Sequence, residues 1–303
     1  MPDKPKLNIY WEKRGLLMMF APCLIFLIIF CYLPMSGLLL AFKEYDLELG
    51  VLGSKWVGLK HFRELFVGDE FINVLKNTLK ISLLKMGFGF FAPIIFAILL
   101  NEIRLRFYKS SVQTLSILPH FFSWVMLGGI FRLFFAEAGS INSMISTLGF
   151  DSIQWLTDDF WFIVMLIATE AWKGMGWGAI VYLASISSIS PDLYEAASID
   201  GCSRFQKIRH ITIPALIPTM ITLLILSLGG ILSAGFDQIY NLYSPAVYDV
   251  SDVIDTYVLR LLEAAKFEIG IAAGIFQSVI GMILILLVNA ICKKLSSGEQ
   301  GVF

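Results

Sequence analysis

Long apolar stretches separated by shorter polar segments are the dominant pattern of this 303-residue chain. A membrane-spanning helix needs about 20 mostly apolar residues in a row. Because the stretches are continuous and do not alternate with polar residues, they favour helices over the strands of a membrane barrel. The pattern predicts spanning helices at Leu16–Phe42, Asn77–Leu100, Ser111–Phe135, Phe160–Ile186, Leu216–Gly235 and Gly270–Ile291.

The composition supports a membrane protein. Hydrophobic residues make up 57% of the chain and charged residues 16%, whereas a soluble domain carries roughly 25% charged residues. The mean hydropathy is +0.76, and the net charge of −1 gives no reason to expect a nucleic-acid partner. The cysteines and histidines lie far apart, so we expect free thiols and no metal site; they are Cys23, Cys31, Cys202, Cys292, His61, His120 and His210.

The distribution of basic residues predicts the orientation. Cytoplasmic segments of membrane proteins are enriched in Lys and Arg. If the N-terminus is cytoplasmic, the inner segments hold most of the basic residues between the spans, namely Lys4, Lys6, Lys13, Arg14, Arg104, Arg106, Lys109, Arg204, Lys207, Arg209, Lys293 and Lys294. The outer loops then hold most of the acids, including Asp158, Asp159, Asp249, Asp252 and Asp255. Both termini are therefore expected in the cytoplasm.

We predict an all-α membrane protein with three regions along the chain. Residues 1–70 comprise a cytoplasmic N-terminal tail, the first spanning helix and an external loop. Residues 71–295 comprise a core with the other five spanning helices and a cytoplasmic loop at 190–214. Residues 296–303 form a cytoplasmic tail.

The loop at 190–214 has strong local signals for two short helices. Ser190 can cap the first helix, with Pro191 at its first position. Gly201 permits a turn at which a side chain would clash. Ser203 and Gln206 form a capping box that opens the second helix. We expect Pro214 to mark the entry into the fifth span.

The same loop carries a recognisable spacing. Glu195-Ala196-Ala197, Gly201, Ile211 and Pro214 follow the pattern E-A-A-x₃-G-x₉-I-x-x-P. This pattern resembles the EAA loop of permease subunits of binding-protein-dependent ATP-binding-cassette (ABC) importers with the type I fold. Ile213 stands where that family has Leu. The stretches AFKEYD (41–46), WVGLKHF (56–62), QTLSILPHFFSWV (113–125) and AVYDVSDVIDTYV (246–258) are similar to carbohydrate-uptake permeases, of the LplB-type polysaccharide and oligosaccharide group.

The resemblance implies a complete transport system around this chain. The expected partners are a second homologous permease subunit, two cytoplasmic ATPase subunits, an extracellular solute-binding protein and a carbohydrate substrate, in the plasma membrane of a prokaryote. No G-x-x-x-x-G-K-[ST] phosphate loop occurs in the sequence. We therefore expect a transport subunit that is not itself an enzyme and has no cofactor of its own, with ATP and Mg bound by the partner ATPases.

Within the loop, one short helix is the expected contact with the ATPase. Small side chains permit close approach to a groove, a carboxylate can meet a basic residue there, and the glycine sets the angle to the next helix. The predicted coupling residues are Tyr194, Glu195, Ala196, Ala197, Asp200 and Gly201.

Glu170 and Lys173 are charged residues inside the fourth predicted span. Intramembrane charges usually face the bundle interior, and their i, i+3 spacing lets them pair with each other. They could form a salt bridge that fixes helix packing, with Gly174, Gly176 and Gly178 bringing neighbours close, or line a translocation path. With aromatic and hydrogen-bonding neighbours suited to sugars, the candidate path residues are Glu170, Trp172, Lys173, Trp177, Tyr182, Asp237, Gln238, Tyr240, Asn241 and Tyr243.

Two further expectations remain from the residues themselves. His120 and Trp124 are interpreted as a packing or kink element beside Pro119. The alternative function is a six-span secondary transporter or half-transporter driven by an ion gradient, which would need membrane-embedded ion ligands or broken helices near the midplane.

Overall fold

Helices dominate the computed structural model, which describes residues 13–228, 230 and 232–295. The α-helices are α1 (Arg14–Leu27), α2 (Gly50–Gly53), α3 (Lys60–Glu64), α4 (Glu70–Glu102), α5 (Arg106–Ile117), α6 (Trp124–Phe134), α7 (Ser140–Thr147), α8 (Asp159–Ser187), α9 (Pro191–Ile199), α10 (Arg204–Lys207), α11 (Ile213–Leu228), α12 (Phe236–Leu242), α13 (Tyr248–Ser251), α14 (Ile254–Glu263) and α15 (Phe267–Leu295). Strands β1 (Lys43–Glu44) and β2 (Lys55–Trp56) pair antiparallel. Of the residues used to predict orientation and termini, Lys4, Lys6 and the tail 296–303 lie outside the described residues, as do the side chains of Lys293 and Lys294. The side chain of Cys292, expected to be a free thiol, lies outside them as well.

Among the described residues, four helical segments are long and apolar enough to cross a membrane: Arg14–Phe42, Glu70–Glu102, Arg204–Ser227 and Phe267–Leu287. A fifth candidate is Arg106–Phe121 together with Trp124–Phe134, if this bent pair is one span. Each candidate overlaps a predicted span. The remaining predicted span corresponds to α8, which is long enough at 29 residues. Because Glu170 and Lys173 lie in its middle, α8 is less apolar than the four segments named above.

The third predicted span is not one straight helix. After α5 a 3₁₀ turn covers Leu118–Phe121, and the axis bends by 104° before α6. Pro119 lacks the N–H that would continue the α-helical ladder. Ser123, in extended backbone, then caps α6 because its hydroxyl accepts a hydrogen bond from the Met126 N–H at 3.3 Å. The predicted kink beside Pro119 is confirmed, whereas a continuous helix through this region was wrong.

The fifth predicted span begins and ends earlier than expected. α10 runs through a π turn (Ile208–Thr212) directly into α11, so Pro214 lies inside the helical segment instead of at its entrance. The proline has no N–H for the α-helical ladder, and the Ile213 N–H bonds instead to the Ile208 carbonyl in the wider turn. α11 ends at Leu228, and Ala234 and Gly235 have φ of 46° and 77°. This left-handed backbone rules out an α-helix that continues to Gly235, the predicted end of the span.

The described chain forms two compact units. One contains Leu261–Ile275 and the described residues up to Val67. In this unit the AFKEYD and WVGLKHF stretches fold against each other. Phe42 stacks on Trp56 with ring centroids 5.6 Å apart, and the buried His61 ring has its Nε2 3.1 Å from the Lys43 carbonyl oxygen.

The second unit contains Gly68–Arg260 and the described residues from Phe276 onward. α4 and α8 pack along each other and organise its core, with Ile81, Phe162, Leu166 and Ile239 completely buried. Two glycines of α8 allow neighbours to approach closely. A Cβ added at Gly176 would lie 2.1 Å from the Ser116 carbonyl oxygen, and one at Gly178 would lie 2.9 Å from Pro93 Cγ. These contacts confirm the predicted role of small residues at two of the three α8 glycines.

Candidate functional site

A cavity of about 500 Å³ opens within the second unit, between α4, α8 and the end of α11. Its volume lies in the range of small-molecule sites. Apolar side chains and glycines form much of its wall. Charged, polar and aromatic side chains converge on it from separate elements, namely Ser82, Lys85, His120, Glu170, Lys173, Trp177, Tyr182, Ser227 and Ser233.

Lys85 is the most deeply placed charge of this cavity. It lies in the middle of α4, its side chain is 8% exposed, and its amine donates a hydrogen bond to the Ala234 carbonyl at 2.8 Å. Glu170 of α8 is its ion-pair partner, with Nζ and Oε2 4.0 Å apart. Gly235 is required beside them, because a Cβ there would lie 2.6 Å from Lys85 Nζ and the backbone φ of +77° disfavours a side chain.

Lys173 lies one turn further along α8 and is partly buried. Its amine donates a hydrogen bond to the His120 carbonyl at 3.2 Å and lies 5.3 Å from the centre of the Trp124 ring, within the range of a cation–π contact. The predicted pairing of Glu170 with Lys173 was therefore wrong. The i, i+3 spacing permits such a pair, but both charged groups instead contact residues of other segments, Glu170 meeting Lys85 and Lys173 meeting the His120 carbonyl.

An aromatic plate forms another wall of the cavity. The His120 ring stacks on Trp177 with centroids 4.6 Å apart and planes inclined by 2°. Trp177 is 49% exposed, so much of its surface remains available. Tyr182 lines the same cavity although it is almost fully buried. His120 thus contributes to the cavity wall as well as to the kink predicted for it.

The other candidate path residues lie away from this cavity. Trp172 packs edge-on against Phe131, with centroids 5.8 Å apart. Gln238 is completely buried, and its Nε2 donates hydrogen bonds to the Leu166 carbonyl and the Thr169 hydroxyl, both at 2.8 Å. Its contacts fasten α12 to α8.

The other four candidate path residues form a surface around α12; they are Asp237, Tyr240, Asn241 and Tyr243. Tyr240 is 43% exposed and stacks on Phe236. Tyr243 lies between Tyr240 and Tyr248, with centroid distances of 6.1 and 5.0 Å. Asp237 is exposed, and Asn241 Nδ2 donates to the Asp237 carbonyl at 2.7 Å. The structure therefore brings Glu170, Lys173, Trp177 and Tyr182 together at the cavity and leaves Trp172 and the α12 group elsewhere.

Lys85 and Ser82 are cavity residues that the sequence reasoning missed. The signal for Lys85 was available, because an ionisable residue inside a predicted span marks a functional site by default. The serine gave no comparable signal. Its hydroxyl is buried and has no hydrogen-bond partner in the described structure.

A second polar cluster joins α14 to α15. Gln277 Nε2 donates hydrogen bonds to Asp255 Oδ1 at 3.0 Å and to the Leu232 carbonyl at 2.9 Å. Burial raises the pKa of the Asp255 carboxyl, and the hydrogen bond from Gln277 opposes this shift. Burial also raises the pKa of Asp252, against the opposing effects of Thr256 and Arg260.

The loop at 190–214 folds largely as its sequence predicts. Ser190 caps α9, with its hydroxyl accepting from the Asp192 N–H at 3.3 Å and Pro191 at the first helical position. Gly201 has φ of +78°, and Ser203 and Gln206 form both bonds of the capping box. The Tyr194 hydroxyl lies 2.9 Å from Thr212 Oγ1 and ties α9 to the π turn.

This loop also presents an unusual amount of apolar surface. Leu193 is 54% exposed, Ile199 88% and Phe205 69%. Glu195 and Ala196 are exposed, and Ala197 is partly exposed. A small helix with exposed apolar side chains beside a carboxylate is chemically suited to binding another protein.

Comparison with known proteins yields one family. The family model described as "binding-protein-dependent transport system inner membrane component" matches residues 85–297. The chain is 40% identical over 294 residues to the polygalacturonan/rhamnogalacturonan transport system permease protein YteP of Bacillus subtilis, covering 96% of this chain and 91% of YteP. It is also 40% identical over 294 residues to the protein LplB of the same organism, covering 96% of this chain and 92% of LplB.

Solved structures agree in fold. A chain of a bacterial ABC transporter involved in the import of the acidic polysaccharide alginate is 40% identical with a TM-score of 0.86, covering 95% of this chain and 98% of that one. A chain of the bacterial alginate ABC transporter in complex with an alginate pentasaccharide-bound periplasmic protein is 39% identical with a TM-score of 0.87, covering 99% and 100%.

Proposed function

Because this chain belongs to the family of binding-protein-dependent transport system inner membrane components, we propose that it is one of two homologous permease subunits of an ABC importer for oligosaccharides or polysaccharide fragments. The chain is a multi-pass membrane protein with the type I ABC permease fold. The single observation that carries the proposal is the 40% identity to a saccharide permease across 96% of the chain.

The proposed cargo is a carbohydrate delivered by an extracellular solute-binding protein. Two of the similar proteins are named for polygalacturonan/rhamnogalacturonan and for alginate, and a third, 28% identical, for arabino-oligosaccharides. One similar chain comes from a complex with a binding protein that holds a pentasaccharide. These names support a saccharide cargo and a binding-protein partner.

The proposed topology has six spans, with α8 as the polar one and both termini in the cytoplasm of a prokaryotic cell. α8 is 29 residues long, or about 43 Å at 1.5 Å per residue, which exceeds the roughly 30 Å hydrocarbon core. Its two charged side chains near the middle, Glu170 and Lys173, line the cavity, where intramembrane charges are tolerated. We retain the division into residues 1–70, 71–295 and 296–303 as part of this proposal.

In the proposed mechanism, α9 and Gly201 are the coupling element. Two cytoplasmic ATPase subunits bind ATP and Mg, and their closure moves α9 as a rigid unit. Tyr194 transmits the motion because its hydroxyl bonds to Thr212 in the turn that leads into α11. Glu195, Ala196, Ala197 and Asp200 form the docking surface, together with the exposed apolar side chains next to them.

The cavity of Glu170, Lys173, Trp177 and Tyr182 is the proposed segment of the translocation path in this subunit. α8 contributes these residues, and α11, the helix driven by the coupling loop, ends at the same cavity. Movement of α11 would therefore change the cavity shape. This arrangement connects the docking surface to the cargo through one helix.

Co-purification from native membranes in mild detergent, with mass spectrometry of the accompanying chains, tests the proposal. We expect a second permease with an EAA loop and an ATPase with a phosphate-loop motif. Ala196→Trp, on the exposed face of α9, should release the ATPase and retain the second permease. The matched control Ser146→Trp, at an exposed position of α7, should retain both.

Recovery of the chain alone, without an ATPase under any gentle condition, would contradict the proposal. It would favour the alternative of a transporter driven by an ion gradient. In that case uptake would survive depletion of ATP and fail when the gradient collapses.

A further inference from the structure

The charges of the cavity do not balance. Lys85 and Lys173 bring two ammonium groups to a wall that has one carboxylate, Glu170, among the described residues. That carboxylate lies 4.0 Å from the Lys85 amine, beyond hydrogen-bond distance. In the described part of the chain, the close partners of the Lys173 amine are the His120 carbonyl and the Trp124 indole ring. The cavity therefore carries one positive charge in excess.

An excess charge at membrane depth is costly unless a partner neutralises it. Carbonyl groups from Ala234 and His120 solvate the two amines through their dipoles, but they leave the net charge unchanged. A carboxylate entering the cavity would supply the missing negative charge. Its interaction with the amines would be stronger there than in bulk water, since the effective dielectric constant is lower.

The other walls of the cavity suit a sugar ring. The exposed Trp177 face, supported by the stacked His120 ring, offers an aromatic plate. The Ser82 hydroxyl is buried at the cavity wall and lacks a hydrogen-bond partner in the described structure. A buried hydroxyl without a partner costs free energy, which a ligand oxygen could recover.

From these observations we infer that the cavity is a binding site for the uronate units of an anionic oligosaccharide. Lys173 and Lys85 neutralise the sugar carboxylate, the Trp177 face contacts the ring, and Glu170 competes with the sugar carboxylate for Lys85. This inference rests on the proposed function and narrows its cargo from saccharides in general to acidic ones.

Direct binding to the purified transporter in lipid nanodiscs, without the solute-binding protein, tests the inference. The probes are trisaccharides of galacturonate and of mannuronate, each compared with its carboxyl-reduced neutral form by calorimetric titration. The wild type should bind at least one uronate roughly tenfold or more tightly than the neutral counterpart, a preference that weakens as salt is added.

Substitutions at Lys173 and at Glu170 should change uronate binding in opposite directions. Lys173→Gln should remove most of the preference for the uronate, and Lys173→Arg should restore it. Glu170→Gln should strengthen uronate binding, because it removes the competing carboxylate; a purely structural role for Glu170 would weaken binding of both sugars. Lys80→Gln removes the same charge from an exposed position of α4 and should change neither.

Equal affinity for charged and neutral sugars, or loss of uronate binding in Glu170→Gln, would overturn the inference. Failure of the wild type to bind any of the probes would overturn it as well. The proposed function is judged separately, by the subunits found in the same purified preparation. A complex that contains the ATPase but does not distinguish the sugars refutes only the acidic cargo.

Discussion

Gly176 provides a sharp test of how the helices of the second unit are held together. It lies in α8, at the closest approach to the backbone of α5. A Cβ at this position would lie 2.1 Å from the Ser116 carbonyl oxygen and 2.3 Å from its carbonyl carbon. Both atoms belong to the main chain, so no side-chain rotation can relieve the overlap.

The expected magnitude of Gly176→Ala follows from these distances. Ordinary contact begins at 3.4 Å, so the helices would have to separate by up to about 1.3 Å. Overpacking of a tight interface costs typically 1–3 kcal/mol, and this clash with rigid backbone belongs at the upper end. The gain in helix propensity from Gly to Ala, at most about 1 kcal/mol, opposes only part of it. For a chain of 303 residues, a net loss of about 2 kcal/mol corresponds to a melting temperature lower by roughly 3 °C.

Thermal unfolding of the purified protein, followed by the circular dichroism of its helices, measures this change. Gly174→Ala is the matched control, because it lies two residues away on the same helix and an added Cβ has nothing within 4 Å. It should leave the melting temperature unchanged or raise it slightly. If Gly176→Ala is as stable as Gly174→Ala, α5 and α8 do not approach as closely as the contact implies.

Three further changes have expected outcomes. Gly201→Val forces a side chain into a φ of +78°, at a cost of about 1–2 kcal/mol; ATP hydrolysis should persist while uptake is lost, and normal coupling would contradict the role of this turn. Asp255→Asn should raise the free energy of unfolding at neutral pH, because burial raises the pKa of the folded carboxyl and its ionisation opposes folding. In a pH series of unfolding, the difference from wild type should shrink as pH falls towards 3.8, the ordinary pKa of an aspartate in an unfolded chain. A difference that stays constant down to that pH would contradict the effect of burial on Asp255. Gln238→Glu places a carboxylate in a completely buried site and should abolish recovery of folded protein by size-exclusion chromatography, whereas Gln238→Met should cost only about 1–2 kcal/mol.

Local features of the loop at 190–214 were predictable from sequence because their causes are local. The cap at Ser190 and the capping box of Ser203 and Gln206 each depend on residues no more than three positions apart. Gly201 adopts the positive φ that its position between two helices indicated. The break beside Pro119 followed from a missing N–H, which is also a property of one residue.

Predictions that required partners from distant segments were less successful. Spacing on α8 allowed Glu170 to pair with Lys173, but the nearer partner is Lys85, on a helix far away in the chain. Gln238 looked like a sugar ligand because of its amide, yet it is buried and fastens α12 to α8. Residue type states what a side chain can bind, whereas its neighbours decide which groups it meets.

The sequence by itself determined the helical membrane character, the approximate position of the apolar segments and the geometry of the loop at 190–214, since hydrophobic length and capping act within one segment. Only the tertiary structure decided that Lys85, Glu170, Lys173 and Trp177 converge on one cavity. It also decided which glycine of α8 meets another backbone and which faces open space. The physical reason is that burial and ion pairing depend on distances between helices, and these distances arise from the packing of the whole bundle.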